Sequence, residues 1–390
     1  MFACHPNHQG CANGVDCKTF HAAVRRVITG NLCGIALMTN TSLVQKPALD
    51  FMPIWTVMKK IGGGITMLIL TFIGLTAITF VIGRIMPNDP VVAIVGDRAS
   101  KEVYEAMFLQ LGLDKPIWEQ YLIFVGNILQ GDFGRSVMTT RPVIEDIARF
   151  FPATLELATI ATLVGIIVGV PAGVLAAVNH GKLFDHIVRI LGLLGHSIPV
   201  FWLGMVALLI FYAKLDWVAG PGRIDFYFDG IVDPVTGVIL IDSALAGEWE
   251  VFSNAVSHVI LPASMLAIYS LAYIARMTRS FMLDQLNQEY VLTARVKGLK
   301  EGQVIWTHAF RNVLVQLITI IGLTYASLLE GSVLTETVFA WPGIGQYITN
   351  SLFNADMNAV IGGTLVVGLS FVGINMLSDM LYRIVDPRAK

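Results

Sequence analysis

The side chains able to carry chemistry in this chain are few and lie far apart. Glu156, Glu330, Glu336, Arg276 and Arg279 interrupt long apolar stretches, where an ionisable group is costly and marks a path, a partner or a proton site. Glu330 suits a water-filled path that meets an ammonium group or a cation, or a hydrogen bond to a neighbouring helix or subunit. Ser197 joins Glu330 as a candidate pathway residue. The run Gly195-His196-Ser197-Ile198-Pro199 imitates a nucleophile elbow, but Pro199 stands where the last glycine belongs. A proline at that depth is expected to bend a helix instead. Gly181-Lys182 is followed by Leu183, so the hydroxyl that holds Mg²⁺ in a phosphate-binding loop is missing. No cofactor is expected on this chain, and any ATP hydrolysis must come from elsewhere. Cys4, Cys11 and Cys17 with His5, His8 and His21 form a C-x6-C-x5-C array. It lacks the close cysteine pair of structural zinc sites, and no metal is expected.

One polar segment differs from the rest. Residues 284–301 carry Asp284, Glu289, Arg295, Lys297, Lys300 and Glu301 interleaved with Leu286, Tyr290, Val291 and Ala294. Leu286, Tyr290 and Val291 recur at near-helical spacing, which predicts an amphipathic helix with a turn at Gly298. Docking of another protein and lying on a membrane surface are equally compatible with that chemistry.

These residues must be held by membrane helices. The chain has 390 residues, 55% hydrophobic and only 14% charged, whereas soluble domains carry about 25% charged residues. Its apolar runs are continuous, without the ten-residue alternation of a β-barrel. An all-α, polytopic membrane protein with six spans is expected, at about 61–85, 153–177, 187–213, 258–282, 313–338 and 360–382. The net charge of −2 leaves no nucleic-acid footprint. Acidic residues dominate segments 86–152 and 214–257, while Lys59, Lys60, Lys182, Arg189, Arg295, Lys297 and Arg311 fall on the alternate side. The positive-inside rule then places both termini and loop 284–312 in the cytoplasm and the two acidic loops outside. Residues 1–57 lack a signal-peptide layout and are expected to be a disordered extension or a consequence of start-site choice. Residues 58–390 form the membrane domain. Gly165, Gly169 and Gly173 share one helix face and suit close helix packing, with a hinge as a compatible sharper role.

The letters of the polar segment add a resemblance. Leu292-Thr293-Ala294-Arg295-Val296-Lys297-Gly298 and His308-Ala309-Phe310-Arg311-Asn312 resemble the cytoplasmic loop of the dipeptide/oligopeptide/nickel ABC-importer permeases. So do Leu111–Pro116 with Gln120-Tyr121, Gly131–Ser136 with Pro142-Val143, and Pro152–Leu157. Ser197–Trp202, Thr335–Phe339, Trp341–Gly345 and the tail Asp386-Pro387-Arg388 complete a resemblance that spans about residues 58–390.

The resemblance implies a type I ABC-importer permease fold, in the first of two permease subunits in a bacterial inner membrane. A second permease, two cytoplasmic ATPases that bind the ATP, and an extracytoplasmic substrate-binding protein would be its partners, with lipid around it. Glu289, Tyr290, Thr293, Ala294, Arg295, Lys297, Gly298 and Leu299 would form the ATPase-coupling surface. Relatives carry dipeptides, longer peptides, nickel chelates, haem or glutathione-like molecules, so a nickel-chelate importer is the alternative to a peptide importer. Two positions depart from the pattern: Gln316 replaces a proline and Leu292 an arginine. Residues 219–256 form an insertion whose Arg223, Asp225, Phe226, Tyr227, Phe228 and Asp229 suit contact with the binding protein or a passive loop. A stand-alone secondary transporter or channel is the reading from another class.

Overall fold

The computed structural model describes residues 54–85, 90–96, 98–110, 112–354 and 356–385. The Cys/His array, most of the 1–57 extension and the tail motif at 386–388 lie outside the described residues. The chain divides into two compact units, Met1–Gly64 and Ile65–Lys390. Of the first, residues 54–64 are described, as the opening turns of helix α1 (Ile54–Ile85).

Regular structure among the described residues is helical, with one isolated antiparallel bridge between Arg135 and Pro142. Three short helices follow α1: α2 (Pro90–Val95), α3 (Lys101–Gln110) and α4 (Ile117–Leu129). Then come α5 (Val143–Val178), α6 (Leu183–Ser197), α7 (Val200–Lys214), α8 (Ile239–Ala246) and α9 (Trp249–Leu286). The chain finishes with α10 (Glu289–Val296), α11 (Glu301–Val338), α12 (Ile344–Phe353) and α13 (Met357–Val385).

The six expected spans are not six straight helices. Helices α5, α9, α11 and α13 are each long and apolar enough to cross a membrane. The third expected span is broken into α6 and α7, which meet at 95°. Pro199 causes the break: it disfavours helical backbone in the residue before it, and Ile198 is extended at φ −84°, ψ 126°. The first expected span lies within α1, in which Ile69–Gly83 is an apolar stretch of described residues.

The expected boundaries also move outward. Helix α5 begins at Val143 rather than 153 and α9 at Trp249 rather than 258. Both acidic loops, 86–152 and 214–257, therefore end inside helices. Hydropathy marks only the apolar part of a helix, whereas Glu145 and Asp146 lie in the first turn of α5, where the helix dipole favours them. At 36 residues, α5 is about 54 Å long against a hydrocarbon core of about 30 Å.

Packing centres on α9. Gly165, Gly169 and Gly173 of α5 lie directly on it: a methyl group added to Gly173 would come within 2.6 Å of the Ala275 carbonyl, and one on Gly169 within 3.2 Å of the Leu271 carbonyl. The glycine face is therefore a close-packing face. A π-helical turn at Gly165–Gly169 opens the α5 backbone there, and Ser270 Oγ donates to Ala161 O at 3.1 Å. Next to it, Leu157, Leu266, Leu328, Leu329 and Trp341 join α5, α9 and α11 in one buried cluster.

Candidate functional site

Helix α10 is the polar segment singled out above, and its eight residues lie between two long helices. Gln288 is extended and ends the α9 path. At the other end Gly298 adopts φ +78° with open space around its Cα. Leu299 N donates to Ala294 O at 3.3 Å and Gly298 N to Arg295 O at 2.9 Å. This pair of bonds is a Schellman closure, whose left-handed position favours glycine.

The inward face of α10 differs from the expected one. Val291 and Ala294 are buried, three residues apart, while Tyr290 is exposed. They seat in a cluster with Met282 of α9, Val304, Ala309 and Val313 of α11, and Val174 and Ala177 of α5. Leu286 packs at its edge. Of the eight expected coupling residues, Ala294 therefore faces inward. Glu289, Tyr290, Thr293, Arg295, Lys297, Gly298 and Leu299 are exposed. Thr293 Oγ1 donates to Glu289 O at 2.9 Å, and Arg295 Nε pairs with Glu301 Oε1 at 2.9 Å across the turn. The outer face also presents Leu292 and Val296, 62% and 80% exposed.

A second set of charged residues is wholly internal. Glu336 is 0% exposed. Its Oε1 accepts from Thr154 Oγ1 at 2.7 Å and Ser332 Oγ at 2.9 Å, and its Oε2 accepts from Gln346 N at 2.9 Å. Thr154 Oγ1 in turn accepts from Ile344 N at 2.8 Å, and Trp341 Nε1 donates to Ala153 O at 2.9 Å. The motif letters at 152–157 and 335–345 thus form one contact joining α5, α11 and α12. Close by, the Glu156 carboxylate accepts from Arg223 Nη2 at 2.6 Å and from Leu240 N at 3.1 Å. Arg223 also donates to Gly237 O at 2.8 Å and lies 5.8 Å from the Trp341 ring centre.

Arg223 therefore ties the insertion inward. Asp225 is held by Asn254 at 2.6 Å and by the Tyr227 hydroxyl at 3.0 Å, which raises the Tyr227 phenol above its ordinary pKa. Asp242 clamps the loop by accepting from Thr236 and Gly237 N–H groups. Phe226, Tyr227 and Asp229 stay exposed. The loop before α5 is anchored similarly: Thr139 and Tyr347 donate to Asp146, and Ser136 and Met138 N to Asp356. Burial, then the Asp146 charge, pushes the Tyr347 phenol up.

The two expected pathway residues behave differently from these. Glu330 is exposed on α11 and forms no ion pair with a described residue; Ser197 is exposed at the α6–α7 break. Sequence reasoning missed Asp185, which is buried at the start of α6 and paired with Arg279 of α9. The signal was present: an aspartate in the first turn of a helix and an arginine on an apolar one.

Residues 169–390 match the family described as "Binding-protein-dependent transport system inner membrane component", and residues 54–158 match its N-terminal companion. The chain is 43% identical to a probable D,D-dipeptide transport system permease protein of Escherichia coli over 86% of its own length and 98% of that protein's. It is 43% identical to a di/tripeptide transport system permease protein of Pseudomonas aeruginosa, over 83% and 96% of the two chains. A methionine ABC transporter structure in an inward-facing conformation aligns with a TM-score of 0.43 at 19% identity, over 60% of this chain and 93% of that one.

Proposed function

This chain belongs to the family of binding-protein-dependent transport system inner membrane components, and from that premise we propose that it is the peptide-conducting half of an ATP-driven importer. Relatives named for D,D-dipeptides and for di- and tripeptides support peptides as the cargo class, with nickel chelates or other small solutes as the alternative within the same family. Its proposed partners are a second permease, two ATPase subunits that bind the ATP, and an extracytoplasmic binding protein. Both termini and α10 would lie in the cytoplasm and the acidic segments outside. Glu330 and Ser197 would face the path, and Phe226 and Tyr227 would meet the binding protein.

One observation carries the coupling role. Helix α10 is fixed from beneath by Val291 and Ala294, yet it offers Leu292 and Val296 beside Arg295 and Lys297 on its outer face. Exposed apolar residues rimmed by charge mark a protein-binding surface. A helix lying on lipid would put its apolar residues on one side, whereas here they point two ways. The test is alanine substitution across Arg295–Gly298 in the assembled importer. Uptake and substrate-stimulated ATP hydrolysis should fall while assembly is kept. Normal hydrolysis and uptake in the correctly assembled variant would end the proposal. Identification of the small molecule that co-purifies with the binding protein tests the cargo class.

A further inference from the structure

A cavity of about 380 Å³ lies between α6 and α9, lined by His186, Arg189, Gly192, His196, Arg276 and Arg279 among others. Its basic residues on α6 follow helical spacing: His186, Arg189 and His196 share one face with Leu193. The two helices approach closely there. A methyl group on Gly195 would sit 3.3 Å from the Ala272 side chain, and the His196 and Tyr269 rings stack at 5.4 Å.

No carboxylate lines this cavity. The nearby acid, Asp185, is already committed: it is 0% exposed and accepts from Arg279 Nη2 at 2.9 Å and Gly181 N at 3.0 Å. Arg279 is thereby neutralised. Arg189 and Arg276 form no ion pair with a described residue, and the Arg276 guanidinium lies 5.4 Å from the Tyr273 ring centre. Two uncompensated guanidiniums beside two imidazoles call for an anion. Around them α6 exposes Ile187, Ile190, Leu191 and Leu194, each 44% or more accessible. A small hydrated anion would gain nothing from such a rim. An anion attached to hydrocarbon would.

We propose that this cavity holds the phosphate of an anionic phospholipid of the cytoplasmic leaflet, between Arg189 and Arg276, with its acyl chains along the apolar residues of α6. Basic pockets between spans on the cytoplasmic side suit such headgroups. The inference rests on the sidedness proposed above, which puts Lys182 and the start of α6 in the cytoplasm.

The experiment uses the whole importer in nanodiscs of phosphatidylcholine doped with a photoreactive phosphatidylglycerol, and maps the cross-linked peptides by mass spectrometry. Labelling should fall on α6 and α9. Unlabelled phosphatidylglycerol should displace it, while phosphatidylcholine and 10 mM inorganic phosphate, a concentration on the order of ordinary buffers, should not. Arg189→Gln with Arg276→Gln should weaken retention roughly thirty-fold, from the usual contribution of a basic residue near an anionic surface. Arg189→Lys with Arg276→Lys should retain most of it, so that loss in the glutamine pair reads as loss of charge, and the mapping and displacement arms on the unaltered importer decide the matter if the glutamine pair does not assemble. Labelling that ignores both arginines, or that maps elsewhere because the second permease covers this face, overturns the proposal. Displacement by inorganic phosphate would make it a free-anion site and overturn the lipid assignment. A separate arm tests the premise: Lys182→Cys, exposed just before α6 and outside the cavity, in a background without native cysteines, should react with an impermeant maleimide only in inverted vesicles. Reaction in right-side-out vesicles would reverse the sidedness whatever the lipid result.

Discussion

Two charged clusters in this molecule use the same residue types in opposite ways. Around Glu336 and Glu156 every carboxylate oxygen is taken by a hydroxyl, a backbone N–H or a guanidinium, and almost nothing reaches solvent. On α10 the charges are exposed, and the one ion pair, Arg295–Glu301, leaves its side chains 42% and 62% accessible. Buried pairs fix one arrangement because breaking them strands a charge. Exposed pairs hold little, typically 0–1 kcal/mol. The first cluster therefore keeps α5, α11 and α12 together, and the second is exposed to solvent.

That contrast can be attacked at several points. The largest effect is expected from Glu336→Ala, which leaves two hydroxyls and the Gln346 N–H without their acceptor. A loss of about 3–5 kcal/mol is expected, read as a drop in melting temperature of the detergent-purified complex. Glu336→Gln should recover only part, since its NH₂ group would confront one of those donors. Next, removing either member of the Glu156–Arg223 pair should cost about 3 kcal/mol, while Glu156→Gln with Arg223→Met together should cost clearly less than the sum. Additive losses in that cycle would show that the two side chains do not act as a pair.

Smaller effects belong to α10. Gly298→Ala forces a side chain into the left-handed region, at about 1 kcal/mol, with nothing nearby to clash. Its stability loss should be modest, and its transport loss larger than that of Glu301→Ala. Smallest in stability is Leu292→Asp with Val296→Asp, expected within about 0.5 kcal/mol because both side chains already face solvent. The same variant should abolish capture of the ATPase subunits in a pull-down. If capture persists, the outer face of α10 is not the docking surface, and the comparison between the clusters loses its functional half.

How much of this could be read in advance depended on whether the cause was local. Pro199 acts on Ile198 beside it, so the break in the third span was legible. Gly165, Gly169 and Gly173 mark a face by spacing alone, and that face is where α9 lies. The turn at Gly298 was legible for the same reason. The pairs Glu156–Arg223 and Asp185–Arg279 were not, because their members lie 67 and 94 residues apart and only the packing of helices brings them together. Arg223 looked like a surface residue for the same cause: its loop folds back. Tyr290 was misplaced on the inward face because an eight-residue helix offers too few turns for spacing to identify that face.

Brevity of α10 has a mechanical meaning. A helix of eight residues does not persist by itself in water. It borrows its shape from the cluster of α5, α9 and α11 residues on which Val291 and Ala294 rest. It cannot flex like a spring without unfolding, so a push on it must be passed on whole. A subunit gripping α10, as proposed above, would hold a short lever arm with three spans at its far end.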